Sequence, residues 1–166
     1  MARRLLLFVL TVCLLCAQTQ IPQFQAENLA GGKVIMPGSA HGQPALLVVG
    51  FTHASGAQCT AWMKRLKSEF AATAALQQYA VIFLEDAPRL VRPMAKSGIK
   101  SSAPQEDYGQ WLIVTEHEKE MKAAVHFQAP DDPYLVLLGA DGAVRWTGHG
   151  AVSDELLNQI RAALKS

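Results

Sequence analysis

The side chain best suited to chemistry in this sequence is the thiol of Cys59, because of the elements predicted around it. The apolar run at residues 46–49 is typical of a strand buried on both faces, and a short polar turn follows it. Ser55 is a suitable N-cap and Gln58 can complete a capping box, which predicts a helix whose first turn carries Cys59. A helix N-terminus stabilises negative charge, so this position can favour a reactive thiolate.

The helical spacing of Cys59 also supports the opposite interpretation. Trp62, Met63 and Leu66 follow it at intervals of three, four and seven residues, so all four side chains share one apolar stripe. A cysteine on a stripe that faces the core usually behaves as a small, inert hydrophobic residue. The spacing favours a structural cysteine over a reactive one, and both hypotheses stay open.

His53 lies in the turn before this helix and can approach Cys59, where a protonated imidazole would favour the thiolate. The alternative, which is favoured, is a loop histidine exposed to solvent. The other histidines show no spacing that would combine with Cys59 into a metal site, so we predict no metal and no cofactor. They are His41, His117, His126 and His149.

The N-terminus predicts export. Arg3 and Arg4 precede an apolar run at residues 5–16 that is too short to span a bilayer comfortably, which is typical of a secretory signal peptide. We therefore expect residues 1–17 to be removed and residues 18–166 to form the mature domain, in the periplasm or outside the cell. The alternative is a retained membrane anchor.

Removal of residues 1–17 changes both the charge and the cysteine count. Lys and Arg fall from 15 to 13 against 14 Asp and Glu, so the net charge becomes 13 − 14 = −1. A nearly neutral domain gives no electrostatic reason to expect nucleic acid. Cys13 and Cys16 lie in the removed segment, so Cys59 alone remains and no disulfide within the mature chain is possible.

The remaining pattern predicts one α/β domain, because apolar runs of strand length alternate with helical patterns. A strand, the Cys59 helix and a second strand make a βαβ unit, so these two strands should be parallel. Asp141-Gly142 predicts a hairpin turn, and Ser153 caps a last helix. The predicted elements are a hairpin at 25–36, strands at 46–49, 79–84, 111–114, 134–138 and 143–147, and helices from 55, at 116–127 and from 153.

A group of basic residues recurs every three or four positions between the second and third predicted strands. On a helix they would form one stripe, which Pro93 would break or kink. A solvated face is the favoured interpretation of such a stripe, and a binding patch is the alternative. The residues are Arg89, Arg92, Lys96 and Lys100.

The order of these elements resembles the thioredoxin-like fold. The segment ENLAGGKVIM…PALLVVGF is similar to the opening of extracytoplasmic thioredoxin-like and peroxiredoxin-like proteins, and PYLVLLGADGAVRWTGHG to their closing hairpin. Pro133, just before the strand at 134–138, resembles the cis-proline that faces the active-site helix in that family. The resemblance covers residues 24–165 and implies an α/β fold with a central mixed β-sheet flanked by helices, extended by an N-terminal β-hairpin.

The thioredoxin motif of two cysteines separated by two residues is incomplete in this chain. Cys59 takes the second position and Gly56 the first, so the residue that would be the nucleophile is missing. Peroxiredoxins keep a cysteine at the retained position, with a threonine three residues before it and a proline seven before, where this chain has Gly56 and Thr52. A one-cysteine enzyme would use Cys59 with an external resolving thiol and with charge from Arg89 or Arg145.

A second resemblance is to the ATP-synthase assembly-factor family of mitochondria and its bacterial relatives. It rests on the segment VIFLEDAPRLVRPMAKSGIKSSAP and on the later PYLVLLGADGAVRW. The resemblance implies a thioredoxin-like protein without a redox pair, which acts by binding another protein such as a membrane-protein subunit.

We interpret the sequence as an exported thioredoxin-like protein without a dithiol pair, whose role is to bind or assemble another protein. The alternative is a single-cysteine oxidoreductase or peroxidase. The two hypotheses differ in whether the thiol is accessible and acidic. The candidate residues are Cys59 for catalysis and Gly56, His53, Pro133, Arg89 and Arg92 for binding.

Overall fold

The structure is a computed structural model that describes residues 20–73 and 75–165. The predicted signal peptide at residues 1–17 lies outside the described residues. Within the described part of the chain, no helix combines the length and the apolar character needed to cross a membrane.

Seven strands and four helices build the described domain. Runs rich in β-branched and aromatic residues form the central strands, and hydroxyl caps start the first and last helices. The strands are β1 (Phe24–Asn28), β2 (Lys33–Met36), β3 (Ala45–Gly50), β4 (Gln77–Phe83), β5 (Trp111–Val114), β6 (Tyr134–Leu138) and β7 (Val144–His149). The helices are α1 (His53–Glu69), α2 (Arg92–Ser102), α3 (Glu118–Ala124) and α4 (Asp154–Ala163), with 3₁₀ turns at Gly38–Ala40 and Gln105–Gln110.

All seven strands form one mixed sheet in the order β2-β1-β5-β4-β3-β6-β7. The predicted βαβ unit is confirmed, because β3 and β4 pair in parallel across α1, with Val49 opposite Val81. β5 is parallel to β4, whereas the remaining neighbours pair antiparallel. Both predicted hairpins, β1–β2 and β6–β7, are confirmed. The α/β class, the central mixed sheet and the N-terminal hairpin are therefore as predicted.

The sheet is covered on both faces, which explains why its central strands are apolar at nearly every position. Every residue of β3, β5 and β6 is buried. On one face, α1 and α4 contribute side chains that include Trp62, Leu66 and Ile160. On the other face, Met121 of α3 and Val125 at its end pack among aromatic side chains.

The structure corrects two predictions about helices. Pro93 lies in the first turn of α2 and therefore starts this helix instead of breaking it, because a first-turn residue has no intrahelical N–H bond to lose. The helix predicted at 116–127 is shorter, at Glu118–Ala124, since His117 and His126 on either side adopt left-handed φ values of 61° and 52°.

Candidate functional site

The parallel strands β3, β4 and β5 end on the same side of the sheet, which we call the carboxyl edge. They end at Gly50, Phe83 and Val114. The first turn of α1, the loop 84–91 and the loop 128–133 lie at this edge, together with the end of β7. In open α/β sheets, ligands bind outside the carboxyl ends of the strands, so this edge is the candidate functional site.

α1 begins three residues earlier than the sequence predicts. Its N-cap is Thr52, which has extended backbone angles, and the Thr52 and Ser55 side chains accept each other's backbone N–H at 3.2 and 2.9 Å. The predicted pairing of Ser55 as N-cap with Gln58 is therefore wrong. Cys59 consequently lies in the second turn of α1, beyond the first turn where the helix dipole best stabilises a thiolate.

The Cys59 side chain is fully buried beneath α1, as its place on the apolar stripe predicts. Its thiol donates to the Ser55 carbonyl oxygen at 3.3 Å, and burial raises the pKa of the thiol to about 12. A Cβ at Gly50 would come within 3.2 Å of Cys59 Sγ and 3.1 Å of the Gly56 backbone, so α1 packs very closely on β3. The thiol is therefore enclosed, and it is protonated at neutral pH.

Gly56 and His53 lie in the first turn of α1. Gly56 is partly exposed and has no side chain, so the position where a thioredoxin holds its nucleophile presents only backbone. His53 is exposed at the first position of α1. The hydrogen-bond acceptors of the Cys59 thiol are the carbonyl oxygens of Ser55 and Val48, so the structure does not bring His53 to the sulfur.

Pro133 is buried immediately before β6, but its peptide bond is trans. The cis peptide bond among the described residues joins Met36 and Pro37. The predicted likeness of Pro133 to the cis-proline of the thioredoxin-like family is therefore wrong in geometry. Trans is the preferred form of most X–Pro bonds, and in this form the Pro133 carbonyl oxygen accepts the Gly150 N–H at 3.1 Å.

Two hydrogen bonds fasten the loop 128–133 to α1, and neither was predicted. Thr52 Oγ1 donates to the Pro130 carbonyl oxygen at 3.0 Å, and Gln58 Nε2 donates to that of Asp131 at 2.7 Å. These bonds join residues 78 and 73 positions apart, so no local sequence pattern could reveal them. The loop and the start of α1 therefore form one continuous surface.

His149, at the end of β7, closes the other side of this loop. Its Nδ1 is 2.7 Å from Asp132 Oδ2, and its Nε2 is 3.2 Å from the side-chain amide of Gln128. The imidazole also stacks on Tyr134, whose hydroxyl accepts the N–H groups of Gln128 and Ala129. Both imidazole nitrogens therefore hold the loop in place, and no serine, threonine or cysteine is among these contacts.

Arg92 and Arg89, which the sequence predicts as binding residues, have different surroundings. Arg92 donates to the carbonyl oxygens of Glu85 at 2.7 Å and Ala87 at 3.0 Å, so it holds the loop 84–91 in place. Arg89 is exposed in that loop, and no other described residue hydrogen-bonds its guanidinium or pairs with it. Arg89 is therefore available to a partner, whereas Arg92 stabilises the loop.

The other predicted basic residues have contacts within the chain. Lys96 pairs with Glu27 at 2.7 Å, and Lys100 lies 5.3 Å from the centre of a tyrosine ring. Arg145, which was considered as a source of charge for Cys59, pairs at 2.8 Å with a carboxylate in the β6–β7 turn. That turn lies at the edge opposite the carboxyl edge, so Arg145 is not part of the candidate site.

A cluster of charged residues beneath the loop 84–91 was missed in the sequence. Glu118 is 2% exposed, although it carries a charge. Lys122 Nζ lies 2.7 Å from Glu118 Oε1 and 2.9 Å from Asp86 Oδ2. Glu85 accepts the Glu118 N–H at 2.7 Å and so caps α3. The loop is therefore tied to α3 through its two acidic residues.

The same contacts shift two pKa values. The hydrogen bond from Lys122 lowers the pKa of Asp86, and a hydrogen bond involving Glu118 adds to this effect. Burial acts to lower the pKa of Lys122, but its hydrogen bonds to Glu118 and Asp86 outweigh burial and raise that pKa. Lys122 also lies over the rings of Phe51 and Phe127, at 5.6 and 5.1 Å from their centres. Its ammonium is therefore charged and held between the loop and α3.

The groups that face solvent at the carboxyl edge are suited to binding. Across residues 20–73 and 75–165, no group of three or more His, Cys, Asp or Glu side chains is placed to hold a metal ion. The edge offers helix backbone at Gly56, the imidazole of His53, the loop 128–133 and the free cation of Arg89, while the Cys59 thiol is enclosed.

Several solved structures are similar to this fold. A proposed thiol:disulfide interchange protein DsbE from Chlorobium tepidum is 18% identical, with a TM-score of 0.62 over 89% of this chain and 96% of that one. BsSco, a member of the Sco family of cytochrome c oxidase assembly proteins, is 18% identical, with a TM-score of 0.58 over 89% and 94%. The exposed lipoprotein thioredoxin Etrx1 from Streptococcus pneumoniae is 11% identical, with a TM-score of 0.61 over 84% and 97%. These similarities confirm the thioredoxin-like fold.

Comparison at the level of sequence gives a family but no individual curated relative. No curated protein matches the chain. The family model described as ATP10 protein matches residues 18–166. This range includes the whole carboxyl edge, with both the start of α1 and the loop 84–91. The resemblance drawn from the sequence to an assembly-factor family is thereby confirmed.

Proposed function

Because this chain belongs to the ATP10 protein family, we propose that it is an exported assembly factor that binds another protein without using thiol chemistry. The observation that carries this proposal is the environment of Cys59. Its thiol is fully buried, its pKa is raised to about 12, and Gly56 replaces the second cysteine of the thioredoxin motif. A thiol enzyme needs an accessible thiolate with a lowered pKa, which is the opposite environment.

The binding surface that we propose consists of the start of α1 and the loop 128–133. His53 is exposed and Gly56 partly exposed, so both the imidazole and the helix backbone can contact a partner. The hydrogen bonds of Thr52 and Gln58 hold the loop against the helix before any partner arrives. A surface that is already ordered loses little conformational entropy on binding, which favours association.

The partner that we propose is a membrane-protein subunit. This class of partner comes from the resemblance to the ATP-synthase assembly-factor family, which the family match supports. Export directed by residues 1–17 would place the domain in the periplasm or outside the cell, next to the membrane where such a subunit is inserted. The domain would then act by holding the subunit in a form that can assemble.

The first experiment measures how fast an alkylating reagent modifies Cys59 as a function of pH. The full chain carries Cys13→Ser and Cys16→Ser, so that Cys59 is the only thiol that the reagent can modify. We expect slow modification of the native protein at every pH near neutrality and fast modification after unfolding in urea, because burial protects the thiol. Fast modification of the native protein near neutral pH would contradict the proposal and favour the single-cysteine oxidoreductase or peroxidase, with an external resolving thiol.

The second experiment tests the binding surface in cells. A photo-crosslinking amino acid at His53 should capture a membrane-protein subunit, and the same amino acid at Ala72, exposed near the opposite edge, should not. Cys59→Ala should leave the amount of assembled membrane complex unchanged, because the thiol has only a packing role. Equal capture from both positions, or loss of assembly in Cys59→Ala, would contradict the proposal.

A further inference from the structure

The loop 84–91 and the start of α2 carry an apolar patch that the described chain leaves uncovered. Leu90 is 94% exposed, Met94 71% and Val91 39%. Single exposed apolar residues are common on protein surfaces, but three within five positions form a patch that water disfavours. We call these three side chains the apolar tip.

Hydrogen bonds and ion pairs hold the backbone that carries the apolar tip in one position. The Arg92 guanidinium bonds the carbonyl oxygens of Glu85 and Ala87, and the Val91 N–H donates to the Pro88 carbonyl oxygen at 2.9 Å. The acidic residues before this turn are tied to α3 by hydrogen bonds and ion pairs. A flexible loop would fold its apolar side chains back onto the domain, whereas these contacts hold the side chains toward solvent. The tip is therefore ready to bind without reordering.

The chain around the apolar tip is basic. Residues 87–103 contain four basic residues and no acidic residue, and the two acidic residues of the loop, Glu85 and Asp86, are bound to α3. Arg89, next to Leu90, has no partner among the described residues. Aliphatic side chains beside a free cation match a bilayer surface with anionic headgroups, because the acyl region takes the aliphatic groups and the phosphates attract the cation.

The apolar tip and the start of β1 both lie at the carboxyl edge. The Gln25 N–H, near the start of β1, donates to Glu116 at 3.3 Å, just beyond the end of β5. The Leu84 N–H, just after β4, donates to the carbonyl oxygen of Val114, the last residue of β5. The apolar run at residues 5–16 precedes β1 in the sequence. β1 therefore starts at the edge that carries the tip, and a retained run at residues 5–16, the alternative to its removal, would tether this edge to the membrane.

We propose that the apolar tip docks on a bilayer surface that contains anionic phospholipid, with Leu90 and Met94 among the acyl chains and Arg89 at the level of the headgroups. Lipid is a better occupant than a protein groove, because three side chains are far fewer than the roughly 20–30 residues per side of a standard protein interface. The inference goes beyond the protein-binding role proposed above, since the ligand is lipid and the residues are different.

The test places an environment-sensitive fluorescent label on the apolar tip of the full chain. Leu90→Cys is made with Cys13→Ser, Cys16→Ser and Cys59→Ala, and Ala72→Cys in the same background is the matched control. The protein is added to phosphatidylcholine vesicles with or without phosphatidylglycerol. With the anionic vesicles, we expect the fluorescence of the label at position 90 to shift to the blue and to be quenched by lipid-borne quenchers. Without phosphatidylglycerol, both effects should be several-fold weaker. The label at position 72 should show neither effect.

A charge variant distinguishes binding to anionic lipid from nonspecific hydrophobic adsorption. Arg89→Glu should weaken insertion of the label on the order of tenfold, since each basic residue near an anionic surface contributes severalfold to binding. Lys165→Glu, at an exposed residue just after α4 and near the opposite edge, should change little. A label that stays in water on both vesicle types overturns the inference, as does a blue shift seen only when a membrane protein is added. The crosslinking result at His53 is independent of either outcome.

Discussion

The start of α1 and the loop 84–91 both lie at the carboxyl edge, but they bury opposite kinds of group. At the start of α1, Cys59 is fully buried and its thiol donates to the Ser55 carbonyl oxygen. The Thr52 hydroxyl at the same helix end donates to the loop 128–133. The loop 84–91 rests on a buried carboxylate, Glu118, and presents Leu90 to water at 94% exposure. The first region follows the usual burial preferences, and the second reverses them.

This contrast indicates where each region acts. A buried thiol on a close-packed helix contributes to stability, and only the outer surface of that helix is open to a partner. A buried ion pair is weak support for stability, and an exposed aliphatic patch lowers solubility, so an isolated domain gains little from either. The second region therefore fits the contact outside the domain that we propose for it. Four predictions test this difference, from the largest expected effect to the smallest.

Trp62→Ala should have the largest effect, because it removes a fully buried side chain from α1, the helix that begins the first region. The Trp62 indole N–H also donates to the Gly150 carbonyl oxygen at 2.9 Å. We expect the free energy of unfolding to fall by about 3–5 kcal/mol, from the lost burial and the cavity. Urea unfolding followed by circular dichroism measures the change. A loss no greater than about 1 kcal/mol would mean that α1 is not the packed element described above.

Lys122→Met should destabilise the second region by removing the cation that faces the buried Glu118 carboxylate. We expect a loss of about 3 kcal/mol, because a buried charge is left without its partner. Lys119→Met is the matched control on the same helix, since Lys119 is exposed and should change stability by less than about 0.5 kcal/mol. Equal urea midpoints for the two variants would show that the charged cluster does not hold the loop.

The buried thiol predicts a pH dependence of stability in alkaline solution. Below the ordinary thiol pKa of 9.0, the folded and unfolded chains both keep the proton, so the stabilising contribution is fully present. Above it, the unfolded chain loses the proton first, and stability is lost until the folded thiol also ionises near pH 12. At pH 10 the unfolding free energy should have fallen by about 1.4 kcal/mol more than in Cys59→Ala. Parallel pH curves for the two proteins would place Cys59 in contact with solvent.

Leu90→Ser should have the smallest effect on stability, because the side chain is exposed already. We expect a change within about 0.5 kcal/mol in the free energy of unfolding. Leu66→Ala, the buried counterpart on α1, should cost about 2–5 kcal/mol. A large loss in Leu90→Ser would mean that Leu90 packs against the domain, and the distinction between the two regions would fail.

Local patterns predicted most of the fold and the state of the thiol. The strands follow from short apolar runs, the β6–β7 hairpin from Asp141-Gly142, and the cap of α4 from Ser153. The burial of Cys59 follows from its helical spacing to Trp62 and Leu66. Each of these features is set by neighbours within a few residues, where helix and strand periodicity and turn chemistry operate.

What the sequence alone determined is therefore the order of the elements, the parallel βαβ unit, the apolar stripe that encloses Cys59 and the missing second cysteine. Only the tertiary structure decided that Thr52 caps α1, that Pro133 is trans, that Glu118 is buried with Lys122 and that Leu90 is uncovered. The physical reason is the range of the contacts. Thr52 bonds Pro130, 78 positions away, and Glu85 caps α3, 33 positions away, so these choices depend on which loops the sheet brings together at its carboxyl edge.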